Sequence, residues 1–211
     1  MTRAISALGE SALLLPASSL LFLYLLVLRE GRLALGWVGA LAAVGLGTIG
    51  AKLAFRACGQ AITEFDVVSP SGHASFAAVF YGAVAILLAA GRDRPQRVVL
   101  GGAALGLVLA IGASRVRLDA HSPEEVAIGL AIGGASLALF ALVHARAGRP
   151  VLSPVPLAAG FAVALLLLGG QHLPVEGAIA AAARRLSTAL DVCALPLGTP
   201  AVPHGTVTGG P

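Results

Sequence analysis

Ser114-Arg115-Val116-Arg117-Leu118-Asp119-Ala120-His121-Ser122-Pro123-Glu124-Glu125 separates two apolar runs, Val98–Ala113 and Val126–Val143, each close to the length of a membrane span. Two arginines, a histidine and three carboxylates stand in this stretch, in a chain whose charged residues amount to only 11%. Ionisable groups so close to membrane depth are expensive, and their concentration here calls for a chemical reason. A second polar island, Ser69-Pro70-Ser71-Gly72-His73, lies upstream. Between His73 and His121 there is room for two helices of about 17 residues each, near the lower limit for a span. An out-and-back pair returns the chain to the face it left, so His73 and His121 are predicted to meet at one site.

Composition fits that reading. With 57% hydrophobic residues over 211 positions and a mean hydropathy of +0.91, the chain has too little polar surface for a soluble globule. The expected class is an all-α, polytopic membrane bundle of about six transmembrane helices. The net charge of +4 does not signal nucleic acid, because the 14 basic residues are scattered between apolar runs rather than gathered on one stripe. Cys58 and Cys193 form no metal-ligand spacing and read as unrelated small apolar residues, with a disulfide open only if both face an oxidising side.

Six apolar segments carry the bundle: Ser11–Leu28, Leu33–Ala51, Ala74–Ala90, Val98–Ala113, Val126–Val143 and Val151–Gly170. The first follows a lone Arg3 and is read as an uncleaved span. Residues 1–170 form the membrane domain, with a motif core at 52–129. Beyond it, Val175–Val192 has the spacing of an interfacial helix, and the Pro- and Gly-rich tail to residue 211 reads as disordered. Pairs of small residues, Gly102/Gly106 and Gly129/Gly133, are expected to let helices approach closely. The connections around Arg29–Arg32, Arg92–Arg97 and Arg146–Arg149 are short and basic and share one face by helix parity. Setting aside Lys52, Arg56 and Arg115 as residues with a chemical role, the charge bias puts those loops in the cytoplasm and both histidines outside it.

Pro70-Ser71-Gly72 opening a helix presents unpaired backbone N–H groups at its positive end, an anion site that Gly72 lets a ligand approach, with His73 placed to deliver a proton. A plain N-cap explains the same residues. Ser122-Pro123-Glu124-Glu125 is a capping-box helix start. Glu125 is equally one turn beyond His121, where it can fix the imidazole tautomer and leave the other nitrogen free to attack. Arg115 offers a planar fork of donors suited to phosphate oxygens. Lys52 and Arg56 stand one turn apart, either as snorkelling cations or as further phosphate ligands. Arg117 and Asp119 read as a local ion pair. A metal held by His121 and Glu125 is the rival chemistry, opposed by the three nearby cations. No Gly-x-Ser-x-Gly nucleophile elbow occurs.

These islands resemble the motifs of the type 2 phosphatidic acid phosphatase superfamily, which also includes the vanadium haloperoxidases. Pro70-Ser71-Gly72-His73 is similar to its second motif without change, and Ser114-Arg115, His121 and Glu125 to its third, with Glu in place of Asp. Its first motif, Lys, six residues, Arg-Pro, is altered: Lys52 is followed by Gly59-Gln60, and Arg56 is the candidate substitute. The resemblance implies a metal-independent phosphatase working through a phosphohistidine, without a cofactor. By that analogy His121 is the nucleophile, Glu125 its orienting carboxylate and His73 the general acid. Lys52, Arg115, the Ser71 hydroxyl and the Gly72 N–H bind the phosphoryl oxygens, with Arg56 as a conditional member. The implied substrate is a lipid phosphate or polyprenyl (isoprenoid) diphosphate, a description that phosphatidate, phosphatidylglycerophosphate, undecaprenyl diphosphate and a lipid A phosphate all meet. The implied location is a bacterial inner membrane, with the site on the extracytoplasmic side. The alternative is a catalytically degenerate relative that binds lipid phosphate without turning it over.

Overall fold

Each helix of the polar islands starts on a cap that the sequence supplies. Ser71 caps one through the Ala74 N–H, Asp93 the next through the Gln96 N–H, with Pro95 in its first turn, and Ser122 the third. The computed structural model describes residues 2–62, 67, 69–147, 152–168 and 181, with backbone alone at 57–62 and 168. All regular structure among the described residues is helical: α1 (Thr2–Ala7), α2 (Ser11–Val27), α3 (Gly31–Ile62), α4 (Gly72–Ala89), α5 (Arg94–Arg117), α6 (Pro123–Arg146) and α7 (Pro154–Leu168).

The fold is the expected helical membrane bundle, with differences in detail. Among the described residues four helices, α3 to α6, are long and apolar enough to cross a membrane, whereas α2 and α7 are apolar but shorter, at 17 and 15 residues. Helix α3 runs ten residues past Lys52, because Lys52 to Ile62 contains no proline and a single glycine, Gly59, and at 32 residues it is about 48 Å long, more than a hydrocarbon core requires. Helix α5 extends through Arg117, so Ser114 and Arg115 belong to a helix rather than to a connection. Helix α1 was not anticipated. The expected interfacial helix apart from residue 181, the tail, Cys193 and the Cys58 side chain lie outside the described residues.

Helix α4 is the hub, packed most extensively on α6 and α5 and also touching α3 and α2, while α7 lies against α2 and α1 against α5. Trp37 of α3 is fully buried between Phe80 of α4 and Phe140 of α6, with ring centroids 6.3 and 5.7 Å away, and its Nε1 donates to the Ser18 carbonyl at 3.0 Å. Outward-facing Leu35, Leu46, Val98, Leu105 and Leu166 are exposed, an apolar belt that water would not tolerate and a bilayer would.

The two glycine pairs part company. A Cβ at Gly129 would run into the Ser71 carbonyl oxygen and one at Gly133 into that of Ser75, so these two glycines let the start of α4 lie directly on α6. Among the described residues a Cβ at Gly102 or Gly106 would meet nothing within 4 Å, and the packing role expected for that pair is not found there: both lie on the outer face of α5.

Candidate active site at one end of the bundle

The chain leaves α5 through a tight turn in which Leu118, Asp119 and Ala120 donate to the carbonyls of Ser114, Val116 and Arg115, and Asp119 takes a left-handed φ of 51°. No ion pair joins Asp119 to Arg117 among the described residues; the expected local pair is not formed, and Asp119 serves the turn instead. The turn delivers His121 and then α6. His121 Nδ1 lies 2.7 Å from Glu125 Oε2. The same oxygen accepts the Ser122 N–H at 3.3 Å, while Ser122 Oγ accepts the Glu125 N–H at 3.2 Å. Capping box and imidazole contact thus coexist on one carboxylate.

Glu125 also reaches across to the other island. Its Oε1 accepts the Ser69 N–H at 2.6 Å, and its backbone carbonyl accepts the Ser71 N–H at 3.0 Å. At 6% exposure this carboxylate is buried, and its burial is sustained by these donors. An ionised carboxylate only accepts, so the His121 proton resides on Nδ1 and the Nε2 lone pair is left available.

Ser71 is fully buried, and its hydroxyl accepts the Ala74 N–H at a long 3.5 Å, which is the N-cap reading of this residue. That bond is weak, and the hydroxyl proton is still available for donation. Gly72 stands beside Lys52: a Cβ at Gly72 would sit 3.8 Å from Lys52 Cε. Lys52 is 2% exposed, so this cation is drawn inward rather than snorkelling outward. Arg56 Nη2 donates to Ser69 Oγ at 3.4 Å, bringing the second α3 cation to the loop before α4. Arg115 and His121 are both neighbours of His73. All eight sequence-predicted residues, Lys52, Arg56, Ser71, Gly72, His73, Arg115, His121 and Glu125, therefore collect at one end of the bundle, supplied by α3 to α6 and their connections. Among the described residues no three His, Cys, Asp or Glu side chains come together as metal ligands.

Three neighbours were missed. Ser69 ties Arg56 to Glu125; Ser6 of α1 accepts from Arg115 Nη1 at 2.8 Å; and Glu10, 6% exposed, puts Oε1 3.4 Å from His73 Nε2. Glu10 did carry a signal, as a carboxylate directly abutting an apolar run. What hid it was distance along the chain.

The family model of the PAP2 superfamily matches residues 53–149. An uncharacterized 22.5 kDa protein in the cps region of Klebsiella pneumoniae is 37% identical over 150 residues, covering 69% of this chain and 70% of that protein. A lipid A 1-phosphatase of Rhizobium etli is 37% identical over 79 residues, 37% of this chain and 30% of its own. No solved structure matches the chain.

Proposed function

Because the chain belongs to the PAP2 superfamily, we propose that it is an integral-membrane phosphatase that hydrolyses a lipid phosphate or polyprenyl diphosphate, without a metal, through a phosphohistidine on His121. The observation that carries the reading is the 2.7 Å contact between His121 Nδ1 and a buried Glu125, which leaves Nε2 as the nucleophile. A lipid A phosphatase among the relatives supports the substrate class.

In the first step Nε2 of His121 attacks phosphorus, the bond to the leaving oxygen breaks, and that oxygen takes a proton from His73. Lys52, Arg115, the Ser71 hydroxyl and the Gly72 N–H hold the phosphoryl oxygens as charge spreads over them, and Arg56, beside Ser69, stands in for the altered part of the first motif. In the second step water attacks phosphorus as His73 takes its proton, the P–N bond breaks, and inorganic phosphate leaves. A site at the end of a bundle belted with apolar side chains suits an amphiphile whose phosphate rests at headgroup level.

Phosphate release by the purified protein in detergent, with chelator present, tests the reading on a panel of phosphatidate, phosphatidylglycerophosphate, undecaprenyl diphosphate and lipid A. Release that persists with chelator and is inhibited by vanadate is expected, since vanadate imitates five-coordinate phosphorus. Lipid phosphate binding without release would make the chain the degenerate relative, and activity restored only by a divalent ion would overturn metal independence.

A further inference from the structure

Glu10 is the N-cap residue of α2, with an extended backbone (φ −63°, ψ 134°), yet its side chain makes no capping bond. Glutamate is not a favoured N-cap residue, and here the carboxylate turns inward to His73. Their side chains are 8% and 21% exposed, and the Oε1 to Nε2 separation of 3.4 Å is a close polar contact that falls short of a well-formed hydrogen bond. Nε2 is enclosed on that side.

The segment that carries Glu10 is held in place from two helices. Tyr81 Oη of α4 donates to the Leu8 carbonyl at 2.9 Å, and Arg115 Nη1 of α5 donates to Ser6 Oγ at 2.8 Å. Between them Gly9 fits so closely that a Cβ there would come within 2.7 Å of Ile111 Cγ2 and 3.3 Å of His73 Cβ. Burying a carboxylate is costly unless it is matched by charge and donors. A turn fixed on both flanks with its one acid against the imidazole is therefore built around that pair.

We propose that Glu10 is the positioning residue of His73, in the way that Glu125 is of His121, so that the N-terminal α1–α2 turn completes the active site. The proposal rests on the phosphatase reading above. The Glu10 carboxylate holds the Nε2–H side of the ring, which turns Nδ1 toward the reacting phosphate, and in the donating state both ring nitrogens carry a proton. From Nδ1 the proton passes to the leaving oxygen as its bond to phosphorus breaks, and Nδ1 takes a proton back from the water that attacks the phosphohistidine. The charged and titratable groups facing His73 are Glu10, Arg115 and His121, so removing Glu10 leaves the imidazole with one cation and another imidazole.

The test compares Glu10→Gln and Glu10→Asp with the parent protein on two phosphate monoesters of matched chain length, one of a long-chain alcohol and one of an alkyl-substituted nitrophenol. The alcohol needs a proton to leave and the nitrophenolate does not. General acids contribute about 10²–10⁴-fold, and loss of positioning is expected to remove about 10- to 100-fold of kcat on the alkyl ester with Glu10→Gln, and less than about threefold on the aryl ester. Glu10→Asp should fall between on the alkyl ester. Equal loss on both esters, the mark of a merely structural residue, or no loss on the alkyl ester, overturns the role of Glu10. If Glu10→Gln does not fold, the alkyl-to-aryl rate ratio of Glu10→Asp decides: below the parent's it supports the proposal, unchanged it overturns it. A parent inactive on both esters overturns the phosphatase reading itself, and this proposal with it.

Discussion

At Glu125 one buried carboxylate meets the ring of His121, the Ser122 N–H and, through its other oxygen, the Ser69 N–H. Glutamine keeps the shape but offers one acceptor, so whichever way its amide is turned, an NH2 group faces a donor. Glu125→Gln is therefore expected to lower turnover by on the order of 100-fold or more. It should also cost about 1–3 kcal/mol of stability, read as a lower unfolding midpoint in detergent. Glu125→Asp keeps the charge and should retain more activity than Gln, with some loss from its shorter reach. Parent-like turnover in folded Glu125→Gln would reduce Glu125 to a cap. The contact of Glu125 with His121 was legible in the sequence as spacing, and so was the capping box. That a single oxygen serves both was not, because one-dimensional spacing presents them as competitors. The bond to Ser69 was out of reach, since it joins residues far apart in the chain through a backbone N–H that has no sequence signature.

Among the elements, the seam between α4 and α6 brings the two islands together, and it depends on Gly129 and Gly133. A side chain at either position must displace backbone carbonyls of α4, which cannot give way as a flexible side chain can. Gly129→Ala and Gly133→Ala are each expected to cost about 1–3 kcal/mol, and Gly129→Ala to lower activity as well by pushing Ser71 away from Glu125. Gly102→Ala and Gly106→Ala should be neutral or slightly stabilising, because the outer face of α5 is open and Ala favours helix. Thermal unfolding of the four variants checks this, and equal effects at both pairs would contradict the packing described. The sequence shows the same four-residue spacing in both pairs and cannot say which faces a neighbour. Helix starts were legible where a cap marked them, as at Ser122, whereas the end of α3 was misplaced because the chemistry of Lys52 suggested a boundary that its helix propensity does not.

For the whole molecule, hydropathy and parity were enough to predict a bundle with both histidines at one end, and that placement holds even though α2 and α7 are shorter than full spans. Orientation rests on the basic residues at the far end, Arg29, Arg32, Arg92, Arg94, Arg97 and Arg146. In a cysteine-free background, Ala120→Cys should react with an impermeant thiol reagent in intact cells and Arg92→Cys should not. The reverse pattern would invert the orientation and leave the site's chemistry untouched. The proposed phosphohistidine on His121 is tested by quenching the purified protein during turnover of a radiolabelled lipid phosphate and mapping the covalent label. The label is expected to be stable to base and labile to acid, located on His121 and absent from His121→Ala. An active protein that yields no such label, or a label that persists in His121→Ala, would contradict it.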